Sequence, residues 1–200
     1  MKRLLLAVLI IFTGTRLSAQ TEWKVDKAHS NVEFTVTHLV ISEVEGSFRV
    51  YDGSIKASKS DFSDAQINFS VDVNSINTDN EKRDGHLKSD DFFNAEKYPQ
   101  MIFKSTSFKK ISDNKYILYG DLTIRNITKP VKFDVTYGGQ AEDGYGNIKS
   151  AFKGTTVINR FDYDLKWNAI TEMGGAVVGK DVTIDLKLQF GAPKNIIGMK

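Results

Sequence analysis

The chain has no cysteine, three prolines, three histidines and two tryptophans in 200 residues. Without thiols there is no disulfide framework, no thiolate chemistry and no cysteine lipidation. His29 and His38 lie too far apart to share a helix face, and no HExxH motif occurs, so the sequence predicts neither a metal site nor a cofactor. A GxSxG elbow and a phosphate-cradling glycine loop are also missing. Nothing in the motif inventory points to an enzyme. After residue 12 no apolar run is long enough to cross a bilayer.

What is present begins with a leader. Lys2 and Arg3 precede the apolar run LLLAVLIIF at residues 4–12, and a polar stretch then ends in LSA. That is the layout of a secretory signal peptide, with the cut expected after Ala19. The mature domain is then residues 20–200, placed in a periplasm or outside the cell. Its loss removes Lys2, Arg3 and Arg16 and no acid, so the formal net charge falls from +2 to −1. A near-neutral chain gives no electrostatic case for nucleic acid.

The mature chain reads as a series of short β segments. In NVEFTVTHL, Val32, Phe34, Val36 and His38 fall on one face, with Glu33, Thr35 and Thr37 on the other. AQINFSVDV puts Ala65, Ile67, Phe69, Val71 and Val73 together, and DVTIDLKLQF does the same for Val182, Ile184, Leu186, Leu188 and Phe190. Period two over such lengths marks antiparallel strands wet on one side. EWKVD, SFRVYDGSIKAS, MIFKSTSFKK, KYILYGDLTI, VKFDVTYGG and IKSAFKGTTVI complete the set, with Pro130 expected at a strand start. Eight or nine strands joined mostly by short turns predict an all-β meander, closed into a barrel or folded as a sandwich. Residues 159–180 lack a sustained period and read as a long loop with one helical turn, the kind of loop that is more often functional than idle.

One block breaks the pattern: NEKRDGHLKSDDFFNAEKYP, residues 80–99. Thr78 and Glu81 fit a capping box, with a two-turn helix expected over EKRDGHLK. Ser89 or Asp90 is expected to cap a second short helix, DFFNAEKY, stopped before Pro99. Leu87, Phe92, Phe93 and Tyr98 would face the sheet. Arg83, Asp84 and His86 have the makings of a general base, yet the chain offers them no nucleophile.

Four motifs in order then carry a resemblance. They are WKVD leading into HSNVEFTVTH, NTDNEKRDGHLKSDDFF with the following YP and IF, GDLTIRNITKPV, and Asn159-Arg160. Together they resemble the YceI-like family, secreted bacterial proteins with a lipocalin-like barrel that bind polyisoprenoid lipids. The match runs from about residue 21 to 190. Two departures stand out. Asn126 occupies a turn where the family has Gly, and Asn tolerates positive φ. Asp162-Tyr163-Asp164 replaces the family's Asp-Phe-Gly, which puts that loop's geometry in question.

The resemblance implies an eight-stranded antiparallel lipocalin-like barrel, a short helical crossover and an elongated apolar lumen. Eight strands leave room for packed side chains or for one small ligand. Small residues among bulky ones, as in FKGTTVI and MIFKSTS, hint at space. The expected lipid-binding residues are Phe34, Val36, Phe69, Phe103 and Phe133 from strands and Phe92 and Phe93 from the crossover. His38, Arg83 and His86 are expected at the ligand's polar end. The partner is a polyisoprenoid or other long-chain lipid held without catalysis, and a homodimer is left open. The alternatives are an isoprenoid-modifying or hydrolytic enzyme, and a stress-response interaction module with an incidental cavity.

Overall fold

The computed structural model describes residues 20–171 and 174–194, so the expected signal peptide lies outside the described residues. The alternating segments form eleven strands, all paired antiparallel. These are β1 (Thr21–Val25), β2 (Asn31–His38), β3 (Ser42–Phe48), β4 (Tyr51–Ala57), β5 (Gln66–Asp72) and β6 (Ile76–Asn77). After helix α1 (Glu81–Lys88) come β7 (Gln100–Ser112), β8 (Lys115–Ile124), β9 (Ile127–Glu142), β10 (Asn147–Asn159) and β11 (Val178–Pro193). Burial follows the alternation, most plainly in β4 and β8, where buried residues occupy every second position.

Sheet order runs β1-β4-β5-β7-β8-β9-β10-β11, and β11 pairs back onto β1, closing an eight-stranded barrel. The other three strands extend the first three staves. β1 continues into β2 across the 3₁₀ turn Lys27–His29, and β11 pairs with both, at Phe190 and Gly191 for β1 and from Lys187 to Val178 for β2. β3 and β4 likewise form one bent stave, as do β5 and β6. Because β6 does not pair with β7, a gap opens in the wall at that end, and α1 and residues 89–99 fill it.

Several expectations are corrected. SFRVYDGSIKAS is not one strand: it breaks at Arg49-Val50, and β3 begins earlier, at Ser42. The break is fixed from the neighbouring stave, where Arg49 N–H donates to Ser75 O and Val50 O accepts from Asp72 N–H. Pro130 lies inside β9, in a stretch paired with β8 but not yet with β10, an edge-like setting that suits proline.

The crossover also differs. Asn80, not Thr78, caps α1, its side chain accepting from Arg83 N–H at 3.1 Å. Thr78 is taken up by Asp84 and Arg83 instead. The second helix does not form, and residues 90–97 fold as successive turns. Arg125 draws off the carbonyls of Asp90 and Phe92 that a helix would use, and Asn94 sits at φ 49°.

The barrel ends are unlike. At one end Phe62, 1% exposed, tucks in from the β4–β5 loop against Trp23, Tyr137 and Phe152. Phe108, Tyr116 and Phe190 complete this aromatic plug. The crossover end carries α1, the turns after it and the loop following β10.

Barrel closure depends on Asp26. Its N–H donates to Gln189 O at 2.7 Å, and its carboxylate accepts from Lys149 Nζ at 2.8 Å and Gln189 Nε2 at 3.1 Å. The Lys149 hydrogen bond, with help from His29 and Gln189, holds the Asp26 carboxyl well below the usual range. A depressed folded pKa stabilises fully above the unfolded value near 3.9, and the gain is lost as pH falls from there toward the folded pKa. Asp26→Asn should therefore cost about 2 kcal/mol at neutral pH, the worth of a charge-assisted bond. Urea unfolding should show that the gap to wild type narrows below about pH 3. An equal gap at both pH values would contradict this role.

Candidate functional site

Between the plug and the crossover the barrel is not filled. A cavity of about 180 Å³ opens there, walled almost wholly by apolar side chains. On the measure by which one water needs ~15 Å³, that is room for a stretch of hydrocarbon chain. It is smaller than the ~300–1,000 Å³ usual for sites that enclose a whole small molecule. Val36, Leu118, Leu122, Ile158, Val182, Ile184, Leu186 and Leu188 supply aliphatic wall.

Space survives because three rings lie flat. In alternation Phe34, Phe69 and Phe103 all point inward, and upright they would fill the lumen. Each lies instead across a glycine of the neighbouring strand. A Cβ on Gly46 would meet the Phe34 ring at 2.4 Å, one on Gly53 the Phe69 ring at 2.2 Å, and one on Gly120 the Phe103 ring at 2.3 Å. Gly46 pairs directly with Phe34 and Gly53 with Phe69. The missing side chains let the rings press against the wall. Gly154 is different, since a Cβ there would meet nothing nearer than 3.7 Å.

A larger concavity, about 650 Å³, lies on the wet outer face past Glu33, Glu45, Asp134 and Asp185. It is shallow and polar, and part of its charge is paired locally, Lys187 with Glu33 at 2.8 Å and Asp134 with Lys132 at 3.1 Å. The smaller apolar cavity is the better candidate for a ligand site.

Of the residues expected at the site, Phe34, Val36, Phe69, Phe92, Phe93, Phe103 and Phe133 line this cavity. Three do not. His38 sits at the far end of β2, paired with Val178 and Ser42, and is not part of the lining. Arg83 is spent on Thr78, donating from Nε to Oγ1 and from Nη2 to the carbonyl, both at 2.7 Å. Asp84 accepts from the Thr78 N–H and hydroxyl, so these two charged side chains bind α1 to the end of β6. His86 bonds Asp91 at 2.9 Å and stands edge-on to Phe92 and Trp167. Tyr98, expected to face the sheet, lies under the Arg125 guanidinium.

Two buried arginines hold the crossover end together. Arg125, at the β8–β9 turn, donates to the carbonyls of Asp90 and Phe92 and pairs with Asp90 at 3.0 Å and Asp164 at 3.5 Å. Arg160, 3% exposed, follows β10 and lines the cavity. It donates to the carbonyls of Leu165, Trp167, Val178 and Gly179 at 2.6–3.2 Å, pinning the following loop over the barrel end. Sequence reasoning named Arg160 only as part of a motif. The signal was there in principle, since an arginine directly after a long amphipathic strand has its stem in the core. The turn positions that depart from the family's glycines, Asn126 and Asp164, both adopt φ 60°, so the left-handed conformation is kept.

Among the described residues no group of three or more His, Asp or Glu side chains is arranged to hold a metal. His29 and His86 each bond a carboxylate rather than a hydroxyl. Among the described residues no helix is long and apolar enough to cross a membrane.

A closed eight-stranded antiparallel barrel with an apolar interior chamber defines a lipocalin-like fold. The chain belongs to the YceI-like domain family, whose model matches residues 23–190. It is 37% identical over 171 residues to a UPF0312 protein of Staphylococcus aureus strain N315, covering 85% of this chain and 97% of that one. A YCEI protein of Campylobacter jejuni superposes with a TM-score of 0.67 at 26% identity, covering 96% of this chain and 99% of its own. Two more distant structures share the fold. BcnA of Burkholderia cenocepacia has a TM-score of 0.69 at 24% identity, covering 82% and 98%. A polyisoprenoid binding domain of Saccharophagus degradans has 0.60 at 17%, covering 86% and 98%.

The glycine arrangement makes a sharp comparison. Gly53→Ala should drive the Phe69 ring into the lumen and weaken uptake of an apolar probe such as 1-anilinonaphthalene-8-sulfonate by about tenfold, with a stability loss of about 1–3 kcal/mol. Gly154→Ala should leave both nearly unchanged. Equal probe binding by the two variants would mean that the rings do not keep the chamber open.

Proposed function

We propose that this protein holds the apolar tail of a polyisoprenoid or similar long-chain amphiphile in the barrel chamber, without transforming it, after export to the periplasm or beyond. The observation that carries this reading is the chamber itself, apolar-walled and kept open by rings laid against glycines. The family and a structural neighbour described as a polyisoprenoid binding domain support a binding role. The chamber is too small for a whole long chain, so one end of the tail enters and the rest lies beyond it. The absence of a recognisable nucleophile–base pair in the sequence favours carriage over catalysis, and turnover of a bound isoprenoid would point to the enzyme reading.

Tail burial should dominate affinity. At about 0.8 kcal/mol per CH₂-sized group, one five-carbon unit is worth roughly 4 kcal/mol gross, much of it offset by lost chain freedom. A calorimetric series of isoprenols should show affinity rising about tenfold for the first added units and levelling once the chain outgrows the chamber. Affinity indifferent to chain length would defeat the proposal.

Export rests on residues 1–19. Edman sequencing of the protein recovered outside the cytoplasm should begin at Gln20 or close to it. A retained Met1 in a membrane fraction would contradict that.

A further inference from the structure

At the crossover end the turn between β2 and β3 carries Leu39, Val40 and Ile41 in a row. They are 39%, 67% and 86% exposed. Turn chemistry does not ask for them. Leu39 and Val40 adopt φ 52° and 68°, the left-handed region that a tight hairpin fills most easily with Asn and Gly. A β-branched residue there is strained. Nor does the interior use them, since none of the three lines the chamber or joins the core. A second apolar side chain projects from the neighbouring loop: Ile170, 67% exposed and bridged to Ala176. The two turns are locked together. Leu39 N–H donates to Val177 O at 2.9 Å, and a Cβ on Gly175 would meet Val40 Cγ2 at 3.2 Å. Thr171 closes the loop, its N–H donating to Gly175 O at 2.8 Å and its hydroxyl accepting from Gly175 N–H at 3.0 Å. This part of the rim borders the chamber, for Val36 and Val178, the latter paired with His38, both line it.

We propose that this rim inserts into the surface of a lipid bilayer, where the barrel collects its apolar ligand. The proposal rests on the tail-binding reading above and deepens it. Four side chains on projecting turns fall far short of the roughly 20–30 residues a side of a stable protein interface. A bilayer demands no complementary shape, and burial among acyl chains rewards apolar tips as a core would. No lysine, arginine or carboxylate occurs from Phe34 to Ser42 to oppose insertion. Glu43, paired with Thr37, stands two rungs behind the tip, which limits insertion to a shallow depth. The proposed cargo dissolves in a bilayer and hardly in water, and the apolar rim lies beside the chamber that would receive it.

Flotation with phosphatidylcholine vesicles tests this. Wild-type protein should float with them, and added salt should not release it, because the contact is apolar. Ile41→Asp puts a charge at the most exposed of the four positions and should lower vesicle partitioning about tenfold. Leu39→Asn combined with Val40→Gly should lower it similarly without lowering the Tm, since that pair suits the left-handed turn. Both variants should bind farnesol in vesicle-free solution as wild type does. Uptake of farnesol from vesicles should quicken with vesicle concentration for wild type, as collision requires, and the variants should lose that dependence. Wild-type protein that stays in the aqueous fraction, or variants that float as well as wild type, overturns the docking proposal and leaves tail binding standing. So do concentration-dependent dimers that Ile41→Asp abolishes, appearing in place of flotation, since a second copy then covers the tip. Failure of wild type to bind farnesol in free solution overturns the tail reading, and collection from the bilayer with it.

Discussion

A barrel exists only if its last strand meets its first, and here that closure is narrow. β1 and β11 share only the pairs at Lys24–Gly191 and Val25–Phe190 before β1 turns away. The turn is set by Asp26, which meets Lys149 and Gln189, and by Ser30, whose Oγ accepts from Gln189 N–H at 2.9 Å. Tyr51 then donates its hydroxyl to Ser30 O at 2.5 Å, tying the bend to β4. One polar cluster thus joins β1, β4, β10 and β11. Beyond it β2 resumes along the same edge of β11, which lets eight staves enclose a lumen longer than β1 alone would allow.

From closure follows the division of the interior. Inward positions must fill the lumen, and at one end they do so with aromatic rings from strands and the Phe62 loop. Farther along, glycines at 46, 53 and 120 let three rings lie on the wall, and a chamber is left. β6 is only two residues long, so the wall is incomplete beside it. The block at residues 80–99 answers that defect. Its α1 is moored by Arg83 and Asp84, and its turns by Arg125, so Leu87, Phe92 and Phe93 are carried onto the chamber. Arg83 and Asp84, which looked catalytic in the sequence, serve to moor the crossover helix.

Much of this was legible beforehand. Period two marked the strands and the inward residues Phe34, Val36, Phe69, Phe103 and Phe133, because an eight-stranded wall gives each side chain only two directions. The motifs indicated the barrel family. What the sequence hid depends on contacts between distant segments. β3 carries Glu43, Glu45 and Gly46, and only its pairing with β2 makes a strand of it. The second crossover helix fails because Arg125, remote in sequence, captures its carbonyls. The partners of Arg83 and Arg160 are not legible from sequence, since which carbonyls or hydroxyls a guanidinium meets is decided by the fold around it.

The central claim is that the chamber between plug and crossover receives an apolar chain. Methyl-resolved NMR reads this directly. On titration with farnesol, the methyl groups of Val36, Leu118, Ile184 and Leu186, which line the chamber, should shift together and saturate. Ile111 and Val157 on the outer surface should not move, and Ile55, buried away from the lining, should move little. Shifts confined to Ile111 and Val157, or no saturable shift at the lining methyls, would contradict the account.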